Sequence, residues 1–394
     1  MKNIYLLFLI MFAIGTDTFI VSPLLPTLEN ALHIKPEHLG WIVGAYAMGY
    51  ALFAIFIGPL SDGWNRKKVL LIGLICFATA TLFCGWAFNE WSILLFRLLA
   101  GMSAAMVAPQ VWALVPALVD PKDIIKGIGI AAAGLSFSQF IGVPLGSFLA
   151  MEHWSTPFYI LGAFSYVLAI FSVYLLPELT PSQNQTVHPW TRYKQLFSST
   201  QSIPGFLAYL LFQIGNFGSF TMIGLVLHDF YHLSLFGIGT TMILLGAGNL
   251  LGSFSGAALT KKFSTRTVFY SGIFSLVLLY LVLSTLPLIS IFAACFLVVF
   301  TLGGILFPIM MSSLQSLQPS LRGTISSLAS AVMYAGASIG STSTGWFYHA
   351  LHGFHAVGLF TVIFFLLSVI FFGKSKFFKK KICPAFSSSY KAEL

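Results

Sequence analysis

Two ionisable side chains lie deep inside apolar runs: Asp17 in "FAIGTDTFIVSPLLP" and Arg97 in "WSILLFRLLAGMSAA". An unpaired charge in hydrocarbon costs several kcal/mol, so such residues pair, share a water-filled pocket or carry a function. A carboxyl group there is suited to binding and releasing a proton, because a nearby guanidinium favours its charged form and hydrocarbon its neutral form. A static ion pair tying two segments together is the plainer alternative. A second group is "GPLSDGWNRKK", residues 58–68, which places one acid and three bases between two apolar runs. A third is a scatter of polar and aromatic residues within apolar runs: Gln110, Trp112, Gln139, Gln213, Asn216, Asn249, Gln315 and Tyr334. Singly, each serves to bond one helix to another; together they describe a cavity with few fixed charges. Such a cavity suits amphipathic, neutral or cationic compounds better than phosphorylated ones, which require several Arg or Lys. No Ser/His/Asp arrangement or P-loop occurs, so no catalytic residue and no cofactor is expected. His349, His352 and His355 in "YHALHGFH" have no acid or cysteine nearby and read as a solvated cluster, with no metal expected.

The elements that hold these residues are membrane helices. Of 394 residues, 57% are hydrophobic and 8% charged, with mean hydropathy +0.90, whereas a soluble domain devotes about a quarter of its residues to charge. The apolar runs are about 20 residues long, enough to cross roughly 30 Å as a helix, and they lack the alternation of a barrel strand. The fold class is therefore all-α integral membrane, with twelve spans at about 3–25, 39–60, 68–88, 91–115, 124–150, 156–176, 203–227, 235–259, 267–286, 289–314, 323–347 and 355–373. The signal-peptide-like opening runs past Asp17 to Pro26 without a convincing cleavage site and is kept as the first span.

Lysine and arginine sort by loop. Lys2, Arg66–Lys68, Lys122, Lys126, Arg192, Lys194, Lys261, Lys262, Arg266, Arg322 and the tail lysines fall on one side, and Lys35 alone on the other. The cytoplasmic bias of positive residues then puts both termini in the cytoplasm. The formal charge of +9 expresses this topology and the basic tail, not nucleic-acid binding. The polar stretch "PELTPSQNQTVHPWTRYKQLFSSTQSIP" is the longest in the chain. It divides the chain into an N-terminal six-helix bundle (1–177), a cytoplasmic linker (178–202) in which "WTRYKQLF" forms a surface helix or a plain loop, a C-terminal bundle (203–376) and a basic cytoplasmic tail (377–394). "ALTKKFSTRTV" echoes "LSDGWNRKKVL", and "QPSLRG" echoes "DPKDIIKG", each about 200 residues on, as an internal six-helix repeat requires. Span depths agree with a meeting of the two buried charges: Asp17 sits about 12 Å and Arg97 about 9 Å below the same outer surface. The single proline and the small residues of "GLSFSQFIGVPLG" allow a bend at Pro144 or simply tight packing, while Gly248, Gly252 and Gly256 form a packing face. "GIGIAAAG" has no strand before it and also reads as packing, as do the scattered cysteines Cys76, Cys84 and Cys295.

Several stretches carry a resemblance. Gly58, Leu60, Asp62, Arg66 and Lys67 match the G-x-L-x-D-x-x-x-R-K pattern between helices two and three of the major facilitator superfamily. "RLLAGMSAA" resembles its R-x-x-x-G motif, "GVPLG" at 142–146 the Gly-Pro motif of its antiporters, and "IGTDTFIVSPLLP" the first helix of the twelve-helix drug:proton antiporters. The match departs at Gly63 and Asn65, and the second-half copy has Lys261 near the place of Asp62. The resemblance implies two pseudo-symmetric six-helix bundles that alternate access to a midplane cavity. It implies proton coupling through Asp17 and Arg97, and a bend at Gly142, Pro144 and Gly146. It further implies a gating loop of Gly58, Asp62, Arg66 and Lys67, with Asp62 meeting the start of helix eleven; topology anchoring is the alternative for these charges. The expected function is proton-coupled export of small amphipathic compounds, as in multidrug resistance, by a monomer in a bacterial plasma membrane. Its expected partners are a small-molecule substrate, protons and the lipid bilayer. An uptake carrier or a lipid or glycolipid flippase is the alternative, and a membrane enzyme or receptor a remote one.

Overall fold

The computed structural model describes residues 2–61, 64–120, 124–178, 189–283, 288–318, 321–351 and 354–375. Their regular structure is entirely helical. The first half contains α1 (Lys2–Phe19), α2 (Val21–Leu32), α3 (Leu39–Ser61), α4 (Arg66–Gly85), α5 (Glu90–Leu118), α6 (Ile124–Phe137), a π-helical turn (Ser138–Gly142), α7 (Val143–Leu149) and α8 (Thr156–Leu175). A short helix α9 (Pro189–Phe197) occupies the linker. The second half contains α10 (Ser202–Asp229), α11 (Leu235–Lys262), α12 (Thr265–Leu283), α13 (Ile289–Gln315), α14 (Arg322–Ala350) and α15 (Phe354–Ser375).

Ten spans among the described residues are long and apolar enough to cross a membrane, and eleven when α1 and α2 are taken as one bent span. The remaining expected span, the eleventh in chain order and here α14, has the length, at 29 residues, but not the hydropathy. Its position explains this. It lies between α3 and α10, and its small polar side chains bond backbone instead of facing lipid: Thr344 Oγ1 donates to the Gly340 and Gly218 carbonyls at 2.8 and 3.1 Å.

The first span differs from its expected bounds of about 3–25. The chain bends by 48° between α1 and α2 and stays helical to Leu32, beyond the expected end near residue 25. Pro23 and Pro26 have no N–H to give to the carbonyls four residues earlier, which weakens the helix at the bend without ending it. The bend is docked on α10, where Ser22 Oγ donates to the Phe220 and Thr221 carbonyls at 2.8 and 3.0 Å. A side chain at Gly224 would strike the Ser22 carbonyl and the Pro23 Cα.

Packing repeats between the halves. α1 lies on α6 as α10 lies on α14, α3 on α5 as α11 on α13, and α4 on α8 as α12 on α15. Two of the contacts between halves, α3 with α14 and α7 with α11, exchange under the same relation, so the fold is two pseudo-symmetric six-helix sets. Glycines make the close approaches: Gly248 and Gly252 of α11 face the backbone of Leu297 and Thr301 on α13.

Candidate functional site

The site begins where α3 and α5 cross. A Cβ on Gly101 would strike the Tyr46 carbonyl and one on Gly49 the Leu98 carbonyl, so only glycine lets these backbones touch. A capping box starts α5, with Ser92 N–H donating to Asn89 Oδ1 at 2.8 Å, and fixes the register. Arg97 stands one turn before Gly101, and its guanidinium therefore lies over the Tyr46 ring, 4.4 Å from the centroid.

Asp17 meets it from the last turn of α1. Arg97 Nη1 donates to Asp17 Oδ2 at 2.7 Å and Nη2 to the Asp17 carbonyl at 3.2 Å, and both side chains are fully buried. The break between α1 and α2 assists, since a carbonyl at a helix bend can accept from a side-chain donor. Thr18 Oγ1 donates to the Ile14 carbonyl at 2.8 Å and reaches the Tyr46 hydroxyl at 3.1 Å. Thr81 and Cys84 of α4 close the other side, both fully buried and interacting with the pair. Cys84, expected only to pack, thus faces Arg97. Asp17 Oδ1, Arg97 Nε and Thr81 Oγ1 have no hydrogen-bond partner among the described residues. One carboxylate oxygen is thus committed to the guanidinium, while Thr81 is the neighbouring hydroxyl on the carboxylate's other side.

The expected cavity residues separate into several places. Tyr334 of α14 stacks on Tyr50 of α3, with centroids 3.7 Å apart. Gln213 is buried on α10 with Asn216 Nδ2 at 3.5 Å from its Oε1. Gln110 is buried, its Oε1 unpartnered among the described residues, and it stands 13 residues or roughly 20 Å along α5 from Arg97. Trp112 is half-buried beyond it. Gln139 accepts from Asn249 Nδ2 at 2.6 Å and joins the π-turn to α11. Gln315 is not at mid-span: it ends α13 and donates to Ser326 Oγ at 3.1 Å.

Around Pro144 the backbone widens into the π-turn, with Val143 N–H donating to the Ser138 carbonyl, because Pro144 has no N–H for Phe140. Gly142 faces Thr16, and Gly146 faces Ile20 at the α1–α2 bend. Of the charged loop, Asp62 lies outside the described residues, as do Pro319 and Ser320 before α14. Gly58 belongs to the last turn of α3. Arg66 and Lys67 open α4, where Asn65 Oδ1 accepts from Lys67 N–H at 3.0 Å and Lys67 Nζ donates to the Val173 carbonyl at 2.7 Å. Among the described residues no group of three or more His, Cys, Asp or Glu is arranged to hold a metal. His352 lies outside them, and His349 is half-buried where a solvated side chain was expected.

Residues 7–341 match the Major Facilitator Superfamily. The chain belongs to that superfamily. It is 45% identical over 373 residues to the MFS-type transporter YceJ of Bacillus subtilis (strain 168), covering 94% of this chain and 95% of YceJ. It is 28% identical over 267 residues to Multidrug resistance protein 1 of the same organism, covering 67% of this chain and 68% of that protein. Among solved structures, a bacterial homologue of the human lysosomal transporter Spinster, inward-facing and occupied, superposes with a TM-score of 0.77 at 18% identity, covering 98% of each chain. The chain is thus a multi-pass membrane transporter with bacterial relatives, and not an enzyme.

The residues that sequence reasoning did not single out are Tyr46, Thr18 and Thr81. Each is an ordinary apolar-run residue by type. Thr18 adjoins Asp17, which is a signal of sorts; Tyr46 and Thr81 owe their roles to helix crossings alone.

Proposed function

We propose that the protein exports small amphipathic compounds from a bacterial cell in exchange for protons, working in the plasma membrane as a twelve-helix drug:proton antiporter. The observation that supports this most is the Asp17–Arg97 pair: a carboxylate fully buried in α1, held on one oxygen by a fully buried arginine from α5, with its other oxygen unpartnered among the described residues. Burial disfavours charge, so substrate entry that disturbs the guanidinium contact is enough to change the proton occupancy of Asp17. Residues 1–177 and 203–376 act as two bundles that rock about the small-residue contacts of α3 with α14 and of α7 with α11, exposing the cavity to each side in turn. Both termini face the cytoplasm. The relative named for multidrug resistance, and the scarcity of fixed charge among the buried polar residues, favour neutral or cationic amphipathic cargo.

The test uses purified protein in proteoliposomes and a panel of amphipathic cations, neutral compounds and sugars. Movement of amphipathic compounds against an imposed pH gradient, lost in Asp17→Asn, is the expected result. Transport that ignores both the gradient and Asp17→Asn overturns proton coupling; gradient-driven accumulation in the same direction as the proton overturns exchange.

A further inference from the structure

We propose that Tyr334 is the positioning residue that passes the state of the Asp17–Arg97 pair to α14, an inference that rests on the proton-coupled reading above. The pair belongs to α1 and α5, whereas the motion that exposes a cavity must occur between the halves. An aromatic path bridges that gap. Arg97 lies over the Tyr46 ring at 4.4 Å; the Tyr46 and Tyr334 rings are 6.4 Å apart at 57°; and Tyr334 is stacked on Tyr50 at 3.7 Å and 22°. Tyr46 and Tyr50 stand one turn apart on α3, so a single ring from the opposite half rests against both. All three are more than nine-tenths buried.

Further along the α3–α14 contact, glycines bring small groups and backbone together. A Cβ on Gly44 would come within 2.6 Å of Thr342 Cγ2, and one on Gly40 would strike the Ser341 carbonyl. Backbones in such contact have few side chains to interlock, which makes the stacked tyrosines a shaped part of the interface.

While Asp17 is ionised, the Arg97 charge is shared between a carboxylate and the Tyr46 face. A proton on Asp17 removes the first attraction and leaves the Tyr46 ring and the Asp17 backbone carbonyl as the partners in place. Thr18, beside Asp17, already reaches the Tyr46 hydroxyl. Tyr46 cannot follow the guanidinium without altering its gap to Tyr334, since rings at this separation are in contact. A change of charge inside one half thereby becomes a change of fit between the halves. The ring of Tyr334 carries this step, and its hydroxyl also bonds with Thr18 beside Asp17. Asp17 is faced by Arg97 from α5, Cys84 from α4 and Tyr46 from α3, and Tyr334 by Tyr46 and Tyr50 from α3 and Tyr209 from α10.

The experiment needs no substrate. Spin labels are placed on genetically encoded keto amino acids at the exposed positions Lys35 and His232, one in each half, which leaves every cysteine in place. Their distance distribution is recorded in lipid nanodiscs from pH 5 to pH 9. The wild type and Tyr334→Phe are expected to shift population with pH. In Tyr334→Leu and in Tyr50→Leu, which removes the same stack from the other side, the shift falls about fivefold, the factor for roughly 1 kcal/mol of ring stacking. A wild-type-sized shift in both leucine variants, or loss of the shift in Tyr334→Phe, overturns the proposal while leaving proton coupling intact. A wild type whose distances ignore pH and match those of Asp17→Asn removes the proton-coupled reading, and this inference with it.

Discussion

Replacing Asp17 by Asn is the most informative single change, because the geometry separates what it removes from what it spares. Nη2 of Arg97 bonds the backbone carbonyl of residue 17, so that bond survives, and an asparagine oxygen can still accept from Nη1. What disappears is the negative charge beside a fully buried guanidinium. Breaking a buried pair from one side typically costs about 3–5 kcal/mol, and with both hydrogen bonds kept the lower end, about 3 kcal/mol, applies. At roughly 2 °C per kcal/mol, the figure for larger domains, the unfolding midpoint in detergent falls by about 6 °C. The double variant Asp17→Asn/Arg97→Gln leaves no unpaired charge and recovers about 2 kcal/mol of the loss. Transport separates the two roles of the pair. A clamp regains activity with stability, whereas a proton carrier stays at least tenfold slower in both variants. The assay pairs thermal unfolding with proteoliposome transport on the same preparations. A coupling energy under about 0.5 kcal/mol shows that the two charges do not depend on one another, and recovery of transport in the double variant refutes Asp17 as the proton-binding group.

Other outcomes follow from the packing. Gly101→Ala drives a methyl group into the Tyr46 carbonyl, separating α5 from α3 at a cost of about 1–3 kcal/mol; thermal unfolding reads the loss, and an unchanged midpoint refutes the crossing as drawn. Gly224→Leu pushes α10 off the Ser22–Pro23 bend, so a spin-label pair on Lys35 and His232 should report a larger separated population than in the wild type, with no change as the contrary result. Asn249→Leu removes the 2.6 Å bond to Gln139 that joins α11 to the π-turn, a loss of about 0.6 kcal/mol on the scale of membrane interhelical bonds. Its effect should therefore be small in thermal unfolding, and a drop above about 2 kcal/mol would mean that the bridge does more than join two helices.

Composition alone determined that the chain lives in a membrane, because burying backbone in hydrocarbon leaves only helices of about 20 apolar residues. It likewise determined that Asp17 and Arg97 must find partners, since neither is tolerated alone at that depth. Rise per residue placed both at similar depth, and the loop motif with its neighbours pointed to the superfamily that the chain belongs to. Tertiary structure decided the rest. Tyr46 became the bed of the guanidinium only because Gly49 and Gly101 let two backbones touch; an R-x-x-x-G spacing names the glycine without saying what it admits. The bend at Ile20 and the persistence of α2 to Leu32 were hidden because proline weakens a helix locally, while docking on α10 decides whether it continues. α14 fell short of membrane hydropathy because its neighbours are helices on two sides, and its hydroxyls are spent on backbone. Gln139 and Asn249 looked like cavity residues, and chain distance cannot reveal that their partner is each other. A sequence states which groups need satisfying; only the assembled helices state which atoms satisfy them.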